Sequence, residues 1–152
     1  MNHQFFMNAA LQEAFKALDE GEVPVGAVVV KNGSIIGKGY NRVEKLTDAT
    51  AHAEIIAMTA ASNYLSNWRL TDCTMYVTLE PCLMCLGALL QSRIAHIVYA
   101  TPDSRAGAID SHYYRLEIER TYGYFPEITT NIMKDDCAHL LSSFFQNLRK
   151  KS

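Results

Sequence analysis

Several features that would sort this chain quickly are missing. No apolar run approaches the roughly 20 residues a membrane-spanning helix needs, so no membrane association is expected. Positive charge is also lacking: 14 Lys and Arg against 16 Asp and Glu leave a formal net charge of -2. That excludes a protein that coats nucleic acid through many phosphate contacts, and no DNA partner is expected. The one tight basic cluster is Arg149-Lys150-Lys151. Repeats, low-complexity tracts and Pro/Gly/Ser-rich linkers are absent, so residues 1–152 are expected to form one domain. Met1 to Phe6 lack the basic and long apolar regions of a secretion signal, which points to the cytoplasm. There, four cysteines read as ligands, nucleophiles or core residues rather than disulfides.

The residues present alternate between helical and extended patterns. Phe6, Ala10, Leu11, Ala14, Phe15 and Leu18 follow one helical face that should end near Gly21. The β-branched run from Val25 to Val30, the Asn32-Gly33 turn signal and the stretch Ser34 to Tyr40 predict a hairpin. Asn41 to Thr50 reads as a loop. A helix follows over Ala51–Ala61, with Thr50 or Asp48 available to cap it. Thr74–Leu79 is a predicted strand, Pro81 opens a helix to about Gln91, and Ile94–Ala100 is a strand. Between Pro102 and Tyr124 a loop and a short helix around Ser111–Arg120 are expected. A last strand over Phe125–Thr130 precedes a helix from Lys134 to Leu148, with Leu140, Leu141, Phe144, Phe145 and Leu148 on one side. This alternation predicts a three-layer α/β/α arrangement around a mostly buried sheet.

The chemistry concentrates in two short motifs at helix starts, His52-Ala53-Glu54 and Pro81-Cys82-Leu83-Met84-Cys85. Cysteines three apart at a helix start share a face and reach one metal. The free N–H groups there favour the thiolate, which is the form that binds. With His52 they make three nitrogen and sulfur ligands. That set suits Zn2+ and leaves the fourth tetrahedral position to water. Glu54 diverges from His52 round the helix, so it is placed to accept the proton of that water and return it to a substrate as general acid. Hydrolysis at an amidine-like carbon, with loss of ammonia, is the reaction such a site suits. A lone C-x-x-C is more often half of a structural zinc site. Cys73 and Cys137, however, have no Cys or His at ligand spacing and read as small core residues. His3, His96, His112 and His139 lack a partner motif.

H-x-E followed by P-C-x-x-C is the signature of zinc base deaminases. The fuller strings Thr50 to Glu54 and Tyr76 to Cys85 resemble bacterial tRNA-specific adenosine deaminases. So do Val23 to Ala27, Gly39 to Arg42 and Phe144 to Arg149, and the likeness weakens only between about Pro102 and Ile132. The resemblance implies a cytidine deaminase-like domain with a mixed five-stranded sheet and one zinc per subunit of a homodimer. It also implies hydrolysis of adenosine to inosine at the wobble position of a tRNA anticodon stem-loop. On that resemblance, Asn41 hydrogen-bonds the base, the Ala53 backbone helps hold it, and Asp103 sits beside the RNA backbone. Phe145 and Arg149 lie on the RNA-facing end of the last helix. Where the family usually has Gly-Ser this chain has Asp110-Ser111, and Gly123-Tyr124-Phe125 replaces an Asn-His-Arg run.

Taken alone, Asn41 also reads as a turn residue, Asp103 as a loop-shaping one and Phe145 as core. Two other functional readings stay open. One is a deaminase of a free base or nucleoside such as guanine or cytosine. The other is a non-catalytic zinc-stabilised scaffold, which would have no use for Glu54.

Overall fold

The run Ala27-Val28-Val29-Val30 is buried on both sides because its strand is sandwiched. Val28 and Val30 pack with Phe6, Met7, Ala10 and Ala14 of the first helix. Ala27 and Val29 pack with Ala53, Ala57 and Ala61 on the opposite face. In a strand, alternate residues point to opposite faces, so two apolar clusters in register require helices above and below. The computed structural model describes residues 2–113 and 115–151.

Within those residues the strands are β1 (Gly26–Lys31), β2 (Ser34–Tyr40), β3 (Cys73–Leu79), β4 (His96–Thr101) and β5 (Glu127–Thr130). They form a mixed sheet in the order β2-β1-β3-β4-β5. The pairs β2/β1 and β1/β3 are antiparallel, while β3/β4 and β4/β5 are parallel. The helices are α1 (His3–Asp19), α2 (Val43–Leu46), α3 (Ala53–Leu65), α4 (Leu83–Gln91), α5 (Arg115–Tyr122) and α6 (Lys134–Lys151). The three-layer α/β/α expectation with a five-stranded mixed sheet therefore holds.

Five local expectations are corrected. The 41–50 loop contains the one-turn helix α2, held because the Glu22 carboxylate accepts from Glu44 N at 3.1 Å and Lys45 N at 2.7 Å. Neither Thr50 nor Asp48 caps α3. Asp48 instead accepts from Thr50 N and Oγ1 at 2.8 and 2.7 Å, and His52 occupies the cap position. Pro81 precedes the cap Cys82, so α4 begins at Leu83. The short helix lies over Arg115–Tyr122, later than expected, and the expected span 111–120 includes Tyr114, which lies outside the described residues. Phe15, assigned above to the apolar face of α1, is 41% exposed.

One edge of the sheet gathers the functional segments. Gly26 pairs with Tyr40, and Leu79 with Thr101. The start of β1 and the ends of β2, β3 and β4 thus open onto the same edge, flanked by the first residues of α3 and α4.

Candidate active site

Glycine brings α3 down onto the sheet. A Cβ on Gly39 of β2 would overlap the Ala53 carbonyl oxygen and the Ala57 nitrogen, so only glycine lets the helix start sit this close. That approach sets His52 and Glu54 at the open edge. On the far side, Glu80-Pro81 carries the chain from β3 into α4 with Cys82 at the cap and Cys85 one turn in.

His52, Cys82 and Cys85 meet there, their ligand atoms all within 4.8 Å of one another. His52 Nδ1 lies 3.7 Å from Cys82 Sγ and 3.5 Å from Cys85 Sγ. Such a group could bind a metal. A hydrogen bond from Cys85, helped by His52 and opposed by burial, brings the Cys82 thiol down to about 4. Cys85 is held well above its ordinary value, first by that same hydrogen bond and then by burial. Cys82 is thus the first thiolate of the pair. His52 is raised by its hydrogen bond to Cys82, against the effect of burial.

Glu54, 4% exposed, borders the same space. Burial, reinforced by the Cys82 charge and opposed by hydrogen bonds and by His52, pushes its carboxyl up to about 7. A carboxyl poised near neutrality can both take and give a proton at working pH. These side chains line one end of a cavity of about 490 Å³.

Four of the residues assigned by resemblance also line the cavity: Asn41, Ala53, Asp103 and Phe145. Asn41 Nδ2 donates to Val23 O at 3.3 Å, which orients the amide, and its buried Oδ1 has no partner among the described residues. Asp103 shapes its own loop, its Oδ1 accepting from Arg105 N at 3.0 Å and Ala106 N at 3.3 Å. Phe145 packs edge-on against Phe144, and both reach the cavity from α6. Arg149, one helical turn further on, is exposed and is not among the lining residues.

Sequence reasoning missed Glu80. It is 2% exposed and accepts from Asp103 N, Ile109 N, Asp110 N, Ser111 N and Ser111 Oγ, at 2.5 to 3.1 Å. Burial pushes its carboxyl up, but these donors outweigh it and hold the group below its ordinary value. The available signal was a charged residue just past the end of an uncharged strand, directly before Pro81. The departing Asp110 is also structural: its carboxylate accepts from Tyr99 Oη at 2.6 Å and from the Arg115 guanidinium at 2.7 Å, and that guanidinium lies over the Phe125 ring.

A mixed five-stranded sheet between helical layers, with an H-x-E and a P-C-x-x-C segment converging at two helix starts, defines a cytidine deaminase-like enzyme. The family model for MafB19-like deaminases matches residues 1–149, and the chain belongs to that family. It is 40% identical over 147 residues to a tRNA-specific adenosine deaminase of Streptococcus pyogenes serotype M1, covering 97% of this chain and 85% of that one. A structure from work on A-to-I editing by tRNA:A34 deaminases aligns with a TM-score of 0.85 at 38% identity, over 90% of this chain and 99% of that one. Guanine deaminase from Bacillus subtilis aligns with a TM-score of 0.64 at 41% identity, over 67% of this chain and 66% of that one.

Proposed function

We propose that this chain is a single-domain, zinc-dependent deaminase that converts adenosine to inosine at the wobble position of a tRNA anticodon. The observation that carries the chemistry is Glu54, buried and raised toward neutrality beside the His52/Cys82/Cys85 group. Zinc fits that group on distance. Tetrahedral bonds of about 2.3 Å to sulfur and about 2.0–2.1 Å to nitrogen set the two ligand types about 3.6 Å apart. The distances here are 3.5 and 3.7 Å.

His52, Cys82 and Cys85 would hold the ion, and when bound it supplies Lewis acidity and lowers the pKa of a water to about 7. Glu54 takes one proton from the attacking water and gives it to a purine ring nitrogen, then takes the remaining proton from the added hydroxyl and gives it to the departing amine as the carbonyl forms. The balance is adenosine plus water giving inosine plus ammonia. Asn41 Oδ1, its amide oriented by Val23, accepts a hydrogen bond from the base. The Ala53 N–H, in the first turn of α3 where no intrahelical acceptor exists, donates to it. Phe145 and Arg149 sit four residues apart on one face of α6, suited to a stacked base and a phosphate of the anticodon loop.

The tRNA substrate rests on the relatives and on the extent of the match. The second reading, deamination of free guanine, is favoured by the 41% identity to the Bacillus subtilis enzyme. That likeness spans 67% of the chain, against 90% for the tRNA:A34 deaminase. The zinc-loaded protein, incubated with tRNA carrying a wobble adenosine, should produce inosine on sequencing and release no ammonia from guanine or cytosine. Ammonia from guanine with no inosine would replace the tRNA reading by the free-base one. Glu54→Gln should cut turnover by about 10²–10⁴-fold with zinc content and Tm near wild type. The reaction belongs in the cytoplasm, in keeping with four free cysteines. A homodimer is supported by Leu83 and Met84, exposed on the first turn of α4 beside the site. Sedimentation velocity would reveal it.

A further inference from the structure

We propose that Glu80 is a positioning residue: its carboxylate suspends the 103–111 loop from the cysteine segment and thereby sets the substrate-facing wall of the cavity. The proposal rests on reading that cavity as the deaminase substrate site. Three consecutive residues each hold the loop in a different way. The Glu80 side chain accepts from Asp103 N at 3.1 Å, at the loop's start. It also accepts from Ile109 N, Asp110 N and Ser111 N, at the loop's end. Pro81 O accepts from Ala108 N at 2.9 Å. Cys82, one of the metal-binding group, pairs with Gly107 as an antiparallel bridge. Between these anchors the loop presents Asp103, Arg105 and Ala106 to the cavity.

Both ends of the loop converge on one side chain. Oε1 takes Asp103 N and Ser111 Oγ, while Oε2 takes the three backbone N–H groups of 109–111. Only an ionised carboxylate is an acceptor at both oxygens and can serve all five donors. A Cβ on Gly107 would overlap the Glu80 carboxyl and the Asp103 carbonyl oxygen, so the loop lies against its anchor with no side chain between. With both oxygens occupied and 2% exposure, Glu80 has no free lone pair for a substrate. It acts through the loop. Glutamine has the same shape but turns one oxygen into an N–H donor that faces backbone N–H groups.

The test compares zinc-loaded wild type with Glu80→Gln by amide hydrogen exchange without substrate and by steady-state kinetics on tRNA bearing a wobble adenosine. Exchange across 103–111 should quicken by about tenfold or more, and KM should rise by about tenfold with kcat within about threefold. Zinc content should match wild type. Unchanged exchange across the loop overturns the proposal. So does a loss confined to kcat, which would move Glu80 into the chemistry. If Glu80→Gln does not fold, Ser111→Ala removes one donor and decides: faster exchange across 103–110 supports the proposal, and unchanged exchange overturns it. Because exchange is read without RNA, a wild type inactive on tRNA would sink the substrate reading while the exchange comparison still decides on Glu80.

Discussion

Asn41 is oriented at one end of its amide and unmet at the other. A buried acceptor without a partner costs on the order of 1–3 kcal/mol, so retaining one is a stability sacrifice that a ligand can relieve. Asn41→Ala removes the unmet oxygen together with a single 3.3 Å bond to Val23. The two losses offset, and the unfolding free energy in urea should change by less than about 1 kcal/mol. Catalytic efficiency on the tRNA substrate should meanwhile fall by about tenfold or more. A variant as active as wild type would return Asn41 to the role of turn residue.

α3 is short of large side chains where it meets the sheet. Ala53, Ala57 and Ala61 face Gly37 and Gly39 of β2, and the residue lodged between His52 and Glu54 is the one Gly39 touches. Gly39→Ala would force the helix start outward. The expected cost is about 1–3 kcal/mol in unfolding free energy, with zinc content and activity falling in parallel. A stable variant with full zinc would show that the helix can shift without disturbing its ligands. The start of this helix also marks where pattern reading failed. Asp48 and Thr50 are good caps by type, but their hydrogen bonds close on each other, leaving His52 at the cap with its imidazole turned to the sulfurs. α2 escaped notice because its stability comes from Glu22, about twenty residues upstream, and no local pattern encodes that.

Across the whole molecule, the layers and the grouping of His52, Cys82 and Cys85 were legible because each rests on short patterns: the alternation along β1, the period of α1 and the two short motifs. Contacts between distant segments were not. The Glu80 carboxylate and the Asp110–Tyr99–Arg115 cluster join residues far apart in the chain, and only the fold shows that they meet. A second long-range cluster lies on the α1 face of the sheet. There His3 Nδ1 meets Tyr76 Oη at 2.7 Å, and the His3 and His96 rings stand 5.6 Å apart. His96 also bonds Thr129 Oγ1 across β4 and β5 at 2.8 Å. Burial, opposed by Glu127 and aided by His3, holds the His96 imidazole below 6.5. The unfolded chain therefore binds this proton more readily than the folded one. The stability contribution is complete above pH 6.5 and is lost as pH falls through the lower folded value. The urea midpoint should drop between pH 7 and pH 5 in wild type and drop less in His96→Gln. Equal slopes for the two proteins would exclude His96 as the source.

The loop hung from Glu80 also makes substrate preference exchangeable. Glu54, the proposed proton carrier, sits on the first turn of α3, whereas Asp103, Arg105 and Ala106 touch the cavity from the loop. A donor loop that keeps the N–H groups at its two ends, a glycine at 107 and the hydroxyl at 111 can hang from the same carboxylate, so residues 104–106 can vary while the reaction stays fixed. Recombination between relatives of different preference should therefore succeed most often when the crossovers fall at Thr101 and just beyond Ser111.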